Sequence, residues 1–185
     1  MAKLIYSTIA SLDCFVEDSD GEFAWAEPTE EVFAFINQLE RPIGTYLYGR
    51  RMYETMVYWE SNDADFSRSV EREFAEIWRA ATKIVYSSTL TSTSSKRTSI
   101  EPEFNAASII RMKETLSHDF SINGAELASH ALRVGLVDEV QLFLMPIVVG
   151  AGKPAFPNDA HVAFELLEQR RFANGQVFLR YAVLK

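Results

Sequence analysis

The sequence predicts an α/β fold: a central, mainly parallel sheet with antiparallel C-terminal strands and helices on both faces. Three observations carry this prediction. Short apolar, β-compatible runs alternate with amphipathic helical segments from residue 4 to residue 134, as parallel crossovers require. After residue 139 the helical segments cease, and two final β-like runs are joined by Ala173-Asn174-Gly175, a strong hairpin signal. At 185 residues the chain is long enough to bury one continuous core, so residues 1–185 are expected to form a single domain.

The elements follow in order. Leu4 to Ala10 reads as the first strand and runs into Ser11-Leu12-Asp13, and residues 17–28 (EDSDGEFAWAEP) form a polar loop. Thr29 then caps a helix with Glu30 and Glu31 in its first turn and Val32, Phe35, Ile36 and Leu39 on one stripe; Pro42 stops it. Thr45 to Tyr48 is a short buried strand, Gly49 the turn out of it, and Met52 to Met56 the start of a helix. Phe66 to Ala81 is amphipathic, with Val70, Phe74, Ile77, Trp78 and Ala81 inward and Arg68, Glu71, Arg72, Glu73 and Glu76 outward. Lys83 to Tyr86 is a strand ending in Ser87-Ser88-Thr89, and the Ser/Thr-rich segment 90–99 reads as a surface loop. Residues 105–116 predict a helix with Ile109, Met112 and Leu116 inward. Phe120 to Ile122 is a strand, Asn123-Gly124 a turn, and Ala125 to Val134 a helix carrying Leu127, Ala131 and Val134. Glu139 to Val149 is one long apolar strand, followed by the loop GAGKPAFP and strands over 162–172 and 176–184. Phe164 and Phe172, at strand spacing, read as sheet core or an oligomer face. The sequence has no internal repeat.

Charge narrows the function classes. With 18 Lys+Arg against 26 Asp+Glu the formal net charge is -8, which argues against nucleic acid as the main partner; any bound anion has to meet a local basic pocket. Cys14 is the single cysteine, and His118, His130 and His161 lack metal-ligand spacing, so no metal site is expected. Ser7, Ser11 and Asp13 interrupt the first apolar stretch before a signal-peptide core is complete, and no run reaches membrane-span length. No membrane association is expected, and cytoplasmic residence is the default.

Three strand ends draw together the candidate chemistry: Gly49-Arg50-Arg51, Ser87-Ser88-Thr89 and Asn123-Gly124-Ala125-Glu126. In a parallel sheet all three fall on the same edge. Guanidinium groups, hydroxyls and a glycine turn before a helix N-terminus suit a dinucleotide, whose phosphates need donors in several places. No GxGxxG follows any strand, so this is not the standard Rossmann fingerprint. Each piece alone also fits a blander reading: solvated arginines at a helix start, or serines in a turn.

Taken together, the strand followed by SLD, the loop Trp and Pro before an acidic helix start, GRRMYE, the strand followed by SS, NGAEL, and LVDEVQLFLMPIVVGAGKPAFP resemble the dihydrofolate reductase superfamily. The likeness is greatest to the branch holding the reductase domain of the bacterial riboflavin-synthesis deaminase/reductase and its stand-alone relatives, and it runs over essentially the whole chain. The resemblance implies a dihydrofolate-reductase-like fold and NADPH as cofactor. It implies that Gly49, Arg50 and Arg51 meet the 2′-phosphate side and pyrophosphate, and that Ser87 and Ser88 meet the adenosine phosphate. Asn123, Gly124, Ala125, Glu126 and Leu127 form the turn and helix start that receive the pyrophosphate, and Ala10 and Val16 lie beside the nicotinamide.

Two departures stand out: Asn123 replaces the first of two family glycines, and Cys14 stands where relatives usually carry glycine after Ser-Leu-Asp. The resemblance makes Asp13 and Glu30 the catalytic carboxylates, although a turn cap for Asp13 and a helix-dipole carboxylate for Glu30 are equally available readings. Trp25 and Phe33 are the expected substrate walls, whereas Tyr53 and Trp59 read as core. Arg111, Lys113 and Lys153 are loosely placed candidates for a substrate phosphate.

The implied activity is NADPH-dependent reduction of a small nitrogen heterocycle, resembling 5-amino-6-(5-phosphoribosylamino)uracil reductase of riboflavin biosynthesis. The alternatives are a dihydrofolate or pterin reductase, or a nucleotide-binding protein that keeps the fold without turnover; a purely structural module ranks last. A homodimer is implied by resemblance, with the C-terminal strands as its surface.

Overall fold

The computed structural model describes residues 1–61 and 66–185. Its strands are β1 (Leu4–Ser11), β2 (Phe15–Asp18), β3 (Ile43–Gly49), β4 (Thr82–Tyr86), β5 (Thr98–Glu101), β6 (Asp119–Asn123), β7 (Glu139–Met145), β8 (Gly152–Pro154), β9 (Phe164–Arg171) and β10 (Val177–Val183). The helices are α1 (Glu30–Glu40), α2 (Arg50–Met56), α3 (Ser69–Ala80), α4 (Ala106–Thr115) and α5 (Ala125–Arg133), with 3-10 turns at Ala24–Ala26 and Val57–Glu60.

Among the described residues, eight strands form one sheet in the order β5-β4-β3-β6-β1-β7-β10-β9. β5 through β7 in that order are parallel, and β10 and β9 run as an antiparallel hairpin at the edge. The strand alternation sorts the core into layers. Leu4, Tyr6, Leu47 and Ile122 pack with Ile109 of α4 and with Leu127, Ala128, Ala131 and Leu132 of α5. Ile5, Tyr46, Tyr48 and Val85 pack with Phe33 of α1 and with Val70, Phe74 and Trp78 of α3. A third cluster joins Val32 and Phe35 to Phe143, Phe172 and Phe178 across the antiparallel edge.

Local signals explain most boundaries. Thr29 Oγ1 accepts the Val32 N–H and Asn105 Oδ1 the Ser108 N–H, so α1 and α4 start where their caps dictate. α3 begins at Ser69, not Phe66, because Glu71 accepts the Arg68 N–H at 2.9 Å and fixes the start there. The hairpin turn keeps Gly175 at φ 86.

Four expectations are corrected. The strand spacing runs to Val149, but β7 stops at Met145 because Pro146 cannot continue the ladder. Val134 lies just past α5 and is 56% exposed, not inward. The segment 90–99 is not all loop, since Thr98 begins β5, a sixth parallel strand at the sheet edge. Finally, β2 and β8 pair as a small separate ribbon where polar loops are expected. Its contact is tight: a Cβ on Gly152 (φ 147) would lie 1.9 Å from the Glu17 carbonyl oxygen, so only glycine fits. Phe172 is core, and Phe164 packs on Phe156 and Tyr181.

Candidate active site

Ligands of open α/β sheets sit beyond the carboxyl ends of the parallel strands. Here the register pairs Gly49 with Tyr86 and Tyr48 with Asn123, so the segments after β4, β3 and β6 emerge side by side. The three strand ends singled out above therefore share one edge.

At the β6 end, Gly124 precedes α5 at φ 93 and leaves the first α5 amides facing outward along the helix axis. Asn123 is the last strand residue, and its Nδ2 donates to Ser121 Oγ at 3.0 Å, which ties the side chain back along β6. The left-handed conformation falls on Gly124, so asparagine at 123 is accommodated without strain. Ala125 and Leu127 have buried side chains and offer only backbone N–H groups, while Glu126 is exposed.

At the β3 end the two arginines differ. Arg50 Nε donates to Glu54 Oε1 at 2.7 Å and Nη1 to Thr89 Oγ1 at 2.9 Å, bridging the ends of β3 and β4. Arg51 is exposed, and its guanidinium has no partner among the described residues. The neighbouring hydroxyls divide in the same way. Ser87 Oγ accepts the Thr89 and Leu90 N–H groups at 3.2 and 3.0 Å and shapes the turn, whereas Ser88 is exposed. Tyr53 turns out to be more than core: its hydroxyl accepts the Ser94 and Ser95 N–H groups at 3.1 and 3.2 Å and holds the following loop against α2. The sequence offered no signal for that role beyond the tyrosine of GRRMYE.

At the β1 end, Ala10 is fully buried against Leu142 and Ala155 with Val16 packed on the same cluster, so Ala10 presents backbone rather than side chain. Asp13 accepts the Val149 and Gly150 N–H groups at 3.2 and 2.8 Å. Its carboxyl is held below the ordinary carboxylate range by a hydrogen bond from Ser11 and by these amides, against a smaller opposing effect of desolvation. Cys14 takes φ 63, so the loop makes a left-handed turn on a non-glycine residue. Burial and the Asp13 charge push its thiol up, which favours the inert neutral form.

On the facing side, the 3-10 turn holding Trp25 packs on β1, and the buried Trp25 Nε1 has no hydrogen-bond partner. A buried indole N–H normally has one, so this donor fits a ligand acceptor. Glu30 is the exposed first residue of α1. Phe33 is 6% exposed, with its ring against Trp59 at 5.8 Å and Phe74 at 5.7 Å. Phe33 thus packs in the core cluster beneath α1, on the helix face that its spacing buries.

The remaining basic candidates lie elsewhere. Lys113 is buried in an ion pair with Asp138, Lys153 pairs with Glu17 at 2.7 Å, and Arg111 is exposed on α4. An open cleft of about 620 Å³ borders the β2-β8 ribbon, lined by Glu17, Asp18, Asp20 and Lys153; it is acidic, and of the candidate residues it contains Lys153 alone, already paired with Glu17. Among the described residues no group of three or more His, Cys, Asp or Glu side chains is arranged to hold a metal, and no helix is long and apolar enough to cross a membrane.

Residues 122–178 match the family model of the RibD C-terminal domain. YyaP, an uncharacterized protein of Bacillus subtilis (strain 168), is 26% identical over 183 residues, covering 97% of this chain and 94% of that protein. Among solved structures, a protein of Shewanella sp. PV-4 assigned to riboflavin biosynthesis superposes with a TM-score of 0.76 at 18% identity, covering 100% of both chains. A pyrimidine reductase-like protein of Corynebacterium diphtheriae gives 0.71 at 14% identity, covering 100% of this chain and 92% of that one. The fold is thus the dihydrofolate-reductase-like α/β architecture that these solved structures share, and residues 122–178 match the RibD C-terminal domain pattern.

Proposed function

We propose that this chain is an NADPH-dependent reductase of a small nitrogen heterocycle, with an aminopyrimidine of the 5-amino-6-(5-phosphoribosylamino)uracil type as its substrate class. The observation that supports this reading most is the set of donors on one sheet edge: unpaired Arg51, exposed Ser88 and the first amides of α5 behind Gly124. Two separate phosphate groups need two separate sets of donors, and this edge has both. The likeness to riboflavin-biosynthesis and pyrimidine reductase-like proteins supports the substrate class.

Bound NADPH would supply a hydride. The chain's own part is to bind and orient. Arg51 and Ser88 hold the 2′-phosphate, and the N–H groups of Ala125, Glu126 and Leu127 face the pyrophosphate. The backbone at Ala10 with the Val16 side chain borders the nicotinamide. Trp25 Nε1 donates to a heterocycle carbonyl, and Glu30 at the exposed start of α1 holds a ring N–H or relays a proton. Such an enzyme works in the cytoplasm, where its nucleotide is available. Leu166 and Leu167 on the edge strand β9, 49% and 45% exposed, are the surface for a second copy.

One observation favours a second reading, a nucleotide-binding protein without turnover. Asp13, expected to be catalytic, is engaged by backbone amides and leaves Glu30 as the one remaining carboxylate of the expected pair. Fluorescence titration with NADPH and NADH, followed by an assay of NADPH oxidation with aminopyrimidines and pterins, separates the two. Tight NADPH binding with oxidation supports the reductase, binding without oxidation by any heterocycle supports the second reading, and no binding removes both.

A further inference from the structure

β1 ends at Ser11, opposite Met145 of β7, and the two strands leave the sheet as turns that hold each other. The Leu12 N–H donates to the Ile147 carbonyl at 2.7 Å, and the Ala155 N–H to the Cys14 carbonyl at 2.8 Å. Asp13 closes the arrangement: Oδ1 accepts from Val149 N–H and Oδ2 from Gly150 N–H, so each carboxylate oxygen takes one of two successive amides. Each turn contains a left-handed residue, Cys14 at φ 63 and Gly150 at φ 82. A non-glycine residue stays in that region only where its surroundings hold it there. Around Cys14 these are its own N–H to the Ser11 carbonyl at 2.9 Å, the Ala155 contact, and the neighbouring Asp13.

A general acid must present a proton to the reacting atom. Asp13 instead faces two N–H donors, which a protonated carboxyl could not both satisfy without losing acceptor strength. The turn it grips, residues 146–151, carries no ionisable side chain, and on the β2-β8 ribbon Glu17 and Lys153 neutralise each other.

We infer that Asp13 is a positioning residue: as a carboxylate it clasps the 146–150 turn to the 11–14 turn and so sets the shape of the pocket wall at the end of β1, where the nicotinamide lies. The location of that ring rests on the reductase reading; the clasp does not. Asp13 acts through the backbone it holds and hands no proton to substrate.

The test compares the full-length protein with Asp13→Asn, Cys14→Gly and the double variant. Hydrogen exchange is followed at the Val149 and Gly150 amides, and NADPH binding by fluorescence titration. Asparagine keeps the size but not the paired acceptors, so exchange at 149 and 150 is expected to accelerate about tenfold or more, with β3 amides unchanged and NADPH affinity reduced by a similar factor. Glycine at 14 adopts the left-handed turn without strain, so the double variant is expected to recover part of both losses. A lost proton donor is not restored by a glycine. Protected 149 and 150 amides with unchanged NADPH affinity in Asp13→Asn would overturn the inference, as would losses that Cys14→Gly leaves untouched. Should Asp13→Asn fail to fold alone, the double variant against Cys14→Gly gives the same exchange comparison. If the wild-type chain binds no NADPH, the reductase reading falls while the exchange data still decide the clasp.

Discussion

Arg50 Nη1 lies 2.9 Å from Thr89 Oγ1, which ties the end of β3 to the end of β4, whereas Arg51, the next residue, has no side-chain partner among the described residues. Adjacent arginines of one motif thus have different work: one braces the edge and the other is available to an anion. An exposed, already paired guanidinium gives up little on removal, and an unpaired one that meets a phosphate gives up a charge-assisted bidentate contact.

Arg51→Ala is therefore expected to weaken NADPH binding by about tenfold to a hundredfold while leaving NADH binding nearly unchanged, since NADH lacks the 2′-phosphate. Arg50→Ala is expected to cost about 0.3–0.5 kcal/mol of stability through its half-exposed pair with Glu54, and to change NADPH affinity less than Arg51→Ala. Titration of both variants with both nucleotides checks the ranking; equal losses for the two variants would remove the distinction.

Glu126 sits in the first turn of α5, where its charge suits the helix dipole yet opposes a bound pyrophosphate. Glu126→Gln is expected to tighten NADPH binding roughly threefold at low salt, with the gain shrinking as ionic strength rises. The matching cost, a few tenths of a kcal/mol of helix stability, appears in urea denaturation.

Gly124 carries the left-handed turn into α5, and a Cβ there would meet Met52 Cβ at 3.4 Å. Gly124→Ala is expected to destabilise the fold by about 1–2 kcal/mol and to displace the α5 amides from a bound phosphate. Asn123→Gly is expected to change stability by less than about 1 kcal/mol, because residue 123 is ordinary strand backbone. Denaturant midpoints of the two variants check the contrast.

The parts of the fold that were legible are those where burial imposes a period. β1 and β3 carry apolar residues on both faces, β6 and β7 carry them on at least one, and α3 shows its stripe, because the sheet core selects residue types there directly. The ribbon of β2 and β8 was not legible: strands of four and three residues are defined by each other, through a glycine that only the partner backbone explains. The site follows the same division. The strand-end glycine and arginines could be found by position, but nothing local separates Arg50 from Arg51. The partners of Asp13 are amides 136 and 137 residues away, and a backbone donor leaves no trace in residue type. The packing of Phe33 against Phe74 was not legible, because an apolar residue near a helix start looks alike whether it faces a pocket or the core.

The core also holds a carboxyl that no site reading uses. Glu40 ends α1 at 7% exposure, beside Tyr46, which stacks on Tyr48 at 5.7 Å. Burial pushes its carboxyl up from 4.5 to about 7, against a smaller opposing pull from the Tyr46 hydroxyl. The native state therefore holds a proton that the unfolded chain releases near pH 4.5, so stability falls as pH rises from about 4.5 to 7, by about 3 kcal/mol. Lys83, buried over the Trp78 ring, acts in another window. Desolvation lowers its ammonium from 10.5 to about 8, so the native state loses that proton first and stability rises again between about pH 8 and 10.5. Stability is thus expected to dip between pH 7 and 8. Glu40→Gln keeps the shape without the charge and is expected to abolish the fall below pH 7 while leaving the alkaline rise, measured by urea denaturation across the range. An unchanged acid-side slope in that variant would mean that another carboxyl carries the linkage.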